Sequence, residues 1–322
     1  MEYKVSAKLV LPMNLFRGSP YSERRSSLAP TTEAAPMPVI IGVPRSGTTM
    51  LRFMLDAHPV LAIPPETGFL VRSLPWLRVL NAREALFRTV TRLPFKSGAW
   101  QDFGLDAREF REELWKIEPF TLSEGFRTFY RLYARKQNKA RYGDKTPLYC
   151  EHVAAIEKLL PEAHFIHIIR DGRDVALSLR PMPFAPGRDI KTLALYWRRL
   201  IQNGRQSGRH CRAYMEIRYE ALVRDPASVL VPICSFLELD FDPVMLRYWE
   251  RVAERLKEHG SRSRIDGRPL LTREQRLFQQ RLTTEPPQLE RVFGWKNAMS
   301  RSERAEFSQF AGDTLQELGY EP

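Results

Sequence analysis

Arg45, Ser46, Gly47, Thr48 and Thr49 follow one another in the stretch Gly42-Val43-Pro44-Arg45-Ser46-Gly47-Thr48-Thr49. One cation, several hydroxyls and two glycines at this density suit the grip of a phosphate. An apolar run, Val39 to Val43, leads into them and reads as a buried strand. Thr48 to Ala57, with Met50, Leu51, Phe53, Met54 and Leu55, reads as a helix. Strand, small-residue loop and helix start make a phosphate cradle: loop N–H groups point inward and the helix N-terminus adds partial positive charge. The spacing of Gly42, Gly47 and Thr49 matches the Walker A pattern G-x-x-x-x-G-K-[ST], but Thr48 stands where that pattern has lysine. The lysine reaches the β/γ-phosphates and the hydroxyl holds Mg²⁺. Without the lysine, NTP hydrolysis is disfavoured.

A second anchor lies downstream. Phe165-Ile166-His167-Ile168-Ile169 is another β-branched run, and Arg170-Asp171-Gly172-Arg173-Asp174-Val175-Ala176-Leu177-Ser178 opens a helix after it. Arg170 offers a fork and Ser178 a hydroxyl, and both can converge on one phosphate. Two phosphate sites on adjacent strand ends suit a nucleotide phosphorylated at both its 5′ and 3′ positions.

With both motifs in order, the sequence resembles the sulfotransferases that use 3′-phosphoadenosine-5′-phosphosulfate (PAPS). Pro44 to Thr49 resembles their 5′-phosphosulfate loop, and Arg170 to Ser178 their 3′-phosphate motif. The nearest likeness is to tyrosylprotein sulfotransferases and bacterial relatives. It runs through Gly42 to Thr49, Met54-Leu55-Asp56-Ala57-His58-Pro59 and Glu66-Thr67, spans roughly residues 38–240, and echoes at Gly294-Trp295-Lys296-Asn297. The resemblance implies PAPS as cosubstrate, 3′,5′-ADP as product and no metal. It implies a P-loop-like three-layer α/β fold, with a central, mostly parallel sheet flanked by helices.

Sulfuryl transfer needs an in-line pair, stabilisation of charge on the bridging oxygen and a base for the acceptor's proton. Arg45 is the candidate for stabilising the phosphosulfate. Ser46, Gly47, Thr48 and Thr49 would supply N–H groups and hydroxyls; plain helix capping is the other reading of the threonines. Glu66 is the candidate base, because Pro64 and Pro65 stiffen its segment and the resemblance sets a catalytic Glu there. The cytosolic members use a His, and His58 is the nearest one, though it reads better as a helix-end residue. By resemblance, Lys145 contacts the transferring group, Arg170 and Ser178 hold the 3′-phosphate, and Tyr219 lies near the adenine. A basic loop before Trp295 and Lys296 would close over the nucleotide. Arg173 reads as structural, paired with Asp174 or a neighbour. Residues 251–281 are dense in arginine, and a solvated surface is the expected state of most of those side chains.

The remaining sequence must position these groups. The chain has 322 residues, 43% of them hydrophobic, enough for one large domain. The expected organisation is a mobile N-terminal arm over 1–37 and one domain over 38–322. Within that domain a helical cap over about 70–140 would line the acceptor pocket, and a basic segment would run over about 251–300. Helices are expected over Ser123 to Lys136 (capped by Ser123), His152 to Leu160, Asp174 onward, Ile190 to Gln202, Val229 to Leu237 and Val244 to Glu258. Strands are expected at Leu61 to Ile63 and Tyr214 to Arg218, with a short one at Lys4 to Leu11. Gly143 to Pro147 reads as punctuation. Strands alternating with helices imply a parallel sheet with its site at the strand C-termini.

A net charge of +12 invites anionic partners, nucleic acid among them. No RNA-recognition, zinc-finger or helix-turn-helix pattern accompanies it, so a nucleotide cosubstrate is the favoured anion and nucleic acid is not expected. Three cysteines, Cys150, Cys211 and Cys234, show no paired or metal-ligand spacing, which suits a reducing cytoplasm. Met1 to Phe16 lacks the apolar core of a signal or membrane anchor. A P-loop-type nucleotide kinase and a non-catalytic nucleotide- or nucleic-acid-binding protein are the competing readings. The acceptor (small metabolite, lipid, sugar or peptide tyrosine) is left open.

Overall fold

The computed structural model describes residues 35–71, 81–92, 100–263 and 269–321. Most of the expected arm, with its strand at Lys4 to Leu11, lies outside the described residues. The arm's expected end, Met37, belongs to the sheet.

Strand β1 runs over Met37–Gly42, β2 over Leu61–Ala62, β3 over Arg141–Tyr142, β4 over Asp144–Lys145, β5 over Ala163–Ile169 and β6 over Tyr214–Arg218. Four of them make a parallel sheet in the order β4-β1-β5-β6. Side chains alternate across it, as the two-residue period of a strand requires. Val39, Ile41, Phe165 and Ile169 enter one apolar cluster, while Ile40, Ile166 and Ile168 enter the other. Helices cover both faces, so the layers are α/β/α, as expected.

The helices follow in chain order: α1 Thr48–Asp56, α2 Ala82–Arg92, α3 Trp100–Phe103, α4 Ala107–Trp115, α5 Leu122–Lys136, α6 Val153–Leu159, α7 Gly172–Leu179, α8 Ile190–Gly208, α9 Tyr219–Arg224, α10 Pro226–Phe236, α11 Trp249–Leu256, α12 Arg273–Gln280, α13 Trp295–Ala298 and α14 Arg301–Glu317. Several starts are set by caps. Thr121, not Ser123, caps α5, its side chain accepting from the Glu124 amide. Asp171 caps α7 by accepting from the Arg173 amide, which moves that start two residues ahead of Asp174.

Helices α2 to α5 make the expected helical region. Their aromatic side chains turn inward: Phe69 stacks on Phe126 at 5.5 Å, and Phe129 meets Phe103 edge-on at 4.9 Å. Among the described residues, no side chain of 81–140 lines the cleft that holds Glu66 and Lys145. The cap's apolar surface is used in its own core instead.

Strand β4 was not expected, because Asp144 and Lys145 carry no apolar signal. It forms because β1 pairs with it, Ile40 opposite Lys145, and because the buried Asp144 carboxylate is fully partnered. It accepts from Thr67 Oγ1 (2.5 Å), Tyr130 OH (2.7 Å) and Thr146 Oγ1 (2.9 Å). The chain leaves β1 for β4 on one side and β5 on the other. That is the switch point where open parallel sheets hold ligands, beyond the strand C-termini.

Candidate active site

A cleft of about 440 Å³ opens at this switch point. Pro44, Arg45, Gly47, Thr48 and Thr49 form its floor. Gly47 has φ 95°, and a Cβ there would sit 2.5 Å from the Tyr219 ring, so both conformation and space demand glycine. Gly47 also begins α1, with no side-chain cap and no acidic residue in the first turn. Thr48 and Thr49 therefore do not cap the helix, whose N-terminus has no side-chain cap and adjoins the cleft through Gly47, Thr48 and Thr49. Ser46 is not part of the floor. Its amide donates to the Val43 carbonyl at 3.1 Å, and its buried hydroxyl has no partner.

One end of the cleft gathers arginines. Arg45, in the left-handed region at φ 76°, sends Nε to Ser178 Oγ at 3.1 Å. This puts Arg45 with the expected 3′-phosphate pair rather than with Lys145. Arg170 donates to the Arg45 carbonyl (3.2 Å) and the Arg291 carbonyl (2.7 Å), lies 3.6 Å from Asp174, and stacks 4.2 Å over the Tyr219 ring. Burial pushes the Arg45 guanidinium down to about 10, and the charges of Arg170, Arg291 and Arg281 push the same way. A cluster this short of compensating negative charge suits a multiply charged anion.

The other end is built around a pair. Lys145 Nζ lies 2.7 Å from Glu66 Oε1 and 3.4 Å from Thr49 Oγ1. Burial pushes the Lys145 amine below its ordinary value, and the Glu66 carboxylate opposes that. Both residues are held by their sequence neighbours. Thr67, next to Glu66, bonds Asp144 through its hydroxyl and takes Thr146 Oγ1 on its amide at 3.2 Å; Tyr149 OH lies 2.9 Å from the same hydroxyl. This buried knot ties the segment carrying the candidate base to the strand carrying the candidate cation. Its Asp, Thr and Tyr members are spread over eighty residues, so no local pattern announces them.

Elsewhere the expected residues divide. His58 lies away from the cleft, its Nε2 2.9 Å from the Asp240 carbonyl and its Nδ1 accepting from the Val60 amide at 3.3 Å. Trp295 and Lys296 are not brought to the cleft. Trp295 donates to Asp171 at 3.0 Å and takes Asp174 on its amide at 2.8 Å, with Arg173 stacked 3.6 Å over its ring. Lys296 pairs with Glu321 at 2.9 Å. Trp295 thus clips the start of α7, which carries Ser178. Arg173 is structural, bound to Asp171 rather than Asp174.

In the arginine-rich segment Arg251, Arg273 and Arg281 are exposed, as expected of most, but two of its arginines turn inward. Arg255 pairs with Asp56 at 2.7 Å, and Arg276 with Asp102 at 2.7 Å, both inside the protein. Arg264 and Arg268 lie outside the described residues. Beyond Arg291, the cleft wall includes residues that sequence reasoning passed over: Arg52, Phe184, Tyr196, His259 and Gln280. No spacing distinguishes them, because each reaches the cleft through tertiary packing.

Residues 36–243 match the model of a family described as sulfotransferase family. Nodulation protein NoeE of Sinorhizobium fredii is 28% identical over 318 residues, covering 90% of this chain and 68% of that protein. A putative protein-tyrosine sulfotransferase of Caenorhabditis briggsae is 30% identical over 220 residues, covering 66% and 68%. Protein-tyrosine sulfotransferase 2 of Gallus gallus is 27% identical over 235 residues; the match covers 68% of this chain but 56% of that one. The sulfotransferase domain from the Synechococcus PCC 7002 olefin synthase shares the fold, with TM-score 0.56 at 24% identity over 89% of this chain and 95% of its own. The sulfotransferase domain from the curacin biosynthetic pathway does so with TM-score 0.58 at 19% identity, over 89% and 99%. No helix among the described residues is long and apolar enough to cross a membrane.

Proposed function

The chain belongs to the sulfotransferase family, and from that premise we propose that it moves a sulfuryl group from PAPS to an acceptor hydroxyl or amine by in-line displacement. The observation that carries this reading is the two-ended cleft. Arg45, Arg170, Ser178 and Arg291 make an anion receptor at one end, and the Glu66–Lys145 pair stands at the other. A nucleotide with a 3′-phosphate fits the first end, with Tyr219 beside it. Thr48, Thr49 and the α1 N-terminus meet its 5′-phosphosulfate.

In the transfer, Glu66 takes the proton of the acceptor hydroxyl as that oxygen bonds to sulfur. The sulfur–oxygen bond to the phosphate breaks, and the charge left on the bridging oxygen is met by the Lys145 ammonium and the N–H groups of the loop. The amine and the carboxylate, 2.7 Å apart, hold each other in place until the reactants arrive. The relatives named protein-tyrosine sulfotransferases make peptide tyrosine one acceptor to try.

The test is transfer of label from ³⁵S-PAPS by the purified protein to a cell extract, with mass spectrometry of the labelled product. Labelled product and competitive inhibition by 3′,5′-ADP are expected. ATP-dependent phosphorylation with no sulfuryl transfer would restore the kinase reading.

A further inference from the structure

Next to the Glu66–Lys145 end, the cleft wall carries a histidine and a glutamine in contact. His259 Nε2 lies 2.9 Å from Gln280 Nε2. His259 is 3% exposed, and its Nδ1 has no partner; neither has Gln280 Oε1, although both residues line the cleft. Buried polar atoms are nearly always satisfied, so these two ask for a ligand. The backbone beside them is fixed, because Arg276 bonds both Asp102 and the Gly260 carbonyl.

The chemistry of the pair limits what that ligand can be. If the Gln280 amide nitrogen donates to His259 Nε2, the imidazole carries its proton on Nδ1, leaving one donor there and one acceptor at Gln280 Oε1. If the amide is turned over, Nε2–H donates to its oxygen, leaving an acceptor at Nδ1 and a donor at the amide nitrogen. Either way one donor atom and one acceptor atom are left without a partner, beside the second hydrogen of the amide. A hydroxyl is both; a carboxylate or sulfate only accepts, and an ammonium only donates. Burial pushes the His259 imidazole down to about 2, with Arg276 and Arg52 adding to the effect, so the ring stays neutral. Of the cations around it, Arg276 is bonded to Asp102 and Lys145 to Glu66, while Arg52 lies 3.5 Å from a Glu258 that Arg255 also holds, its Nη2 without a hydrogen-bond partner. Leu148, Phe184 and Tyr196 add apolar wall.

We propose that His259 and Gln280 form an acceptor subsite for an uncharged hydroxyl, so that the acceptor is a neutral compound bearing a second hydroxyl beside the one that is sulfated. This rests on the sulfotransferase reading above. The subsite sets specificity: the second hydroxyl satisfies both buried atoms, and a one-hydroxyl analogue leaves them unpaired.

The experiment uses the full chain loaded with 3′,5′-ADP and three probes on one ring: 1,2-cyclohexanediol, cyclohexanol and 2-hydroxycyclohexanecarboxylate. Binding is followed by NMR titration, and ³⁵S transfer to each is measured in parallel. The diol is expected to bind on the order of tenfold more tightly than either other probe. In Gln280→Leu and in His259→Phe the diol-to-cyclohexanol ratio should fall to near one, while 3′,5′-ADP affinity, which also reports folding, stays at the wild-type value. Equal binding of the three, preference for the carboxylate, no binding of any, or a ratio that survives Gln280→Leu overturns the subsite. Failure of the wild-type protein to bind 3′,5′-ADP overturns the nucleotide reading instead, which keeps the two failures apart.

Discussion

The two ends of the cleft handle charge in opposite ways. At the Ser178 end, Arg45, Arg170 and Arg291 crowd together with Asp174 as the carboxylate at hand. At the Glu66 end the cations lie beside carboxylates: Lys145 with Glu66, Arg276 with Asp102, and Arg52 3.5 Å from a Glu258 that it shares with Arg255. Like charges held together disfavour the folded chain by itself and are relieved by an anion. Paired charges need no ligand and stay in position while reactants come and go. On the proposed reading, the first end binds and the second reacts.

Glu66→Gln gives the largest expected effect and tests the reactive end. It keeps the shape and removes the basicity, so kcat should fall by ~10²–10⁴-fold, with 3′,5′-ADP affinity nearly unchanged. A near-wild-type kcat would remove Glu66 as the base. The binding end comes next. Arg170→Ala should weaken 3′,5′-ADP by about 10–100-fold, the loss expected of charged hydrogen bonds, and 5′-AMP far less. Equal losses for the two nucleotides would dissolve the distinction between the ends.

A smaller effect is expected from the knot behind the reactive pair. Tyr130→Phe takes one of three donors from the buried Asp144 carboxylate, and should cost about 1–3 kcal/mol in urea unfolding while leaving nucleotide affinity alone. The smallest is a shift in pH dependence. The buried Lys145 amine releases its proton at lower pH than an ordinary lysine, so the cationic form that meets the leaving charge is lost sooner on the alkaline side. The alkaline limb of kcat/KM for PAPS should fall below the ordinary lysine range near about 10.4, and Lys145→Arg should move it upward. A profile flat through that range would mean that the Lys145 charge plays no part.

The legible parts of this protein were those in which one segment carries its own signal. β1 with α1, and β5 with α7, declare themselves by an apolar run, a small-residue turn and a helix start. Glu66, Lys145, Arg45, Arg170, Ser178 and Tyr219 all reach the cleft. What stayed hidden is held by distant partners. Strand β4 is two polar residues whose pairing depends on β1 and on Thr67, Tyr130 and Thr146. Trp295 and Lys296 follow a family-like segment, yet here the tryptophan serves α7. Whether an arginine is solvated or internal depends on Asp56 or Asp102, more than 170 residues away in sequence.

The match to the family ends at residue 243, and the wall bearing His259 and Gln280 comes after it. Similarity to single relatives does not stop there, since the match to nodulation protein NoeE covers 90% of the chain. On the proposed reading, the sheet ends hold the transfer chemistry and the segment after them shapes the acceptor side. Two carbonyls of this segment also serve the nucleotide end, that of Arg291 accepting from Arg170 and that of Gln279 from Arg45. Libraries confined to His259 and Gln280 should trade one acceptor for another with the nucleotide still gripped.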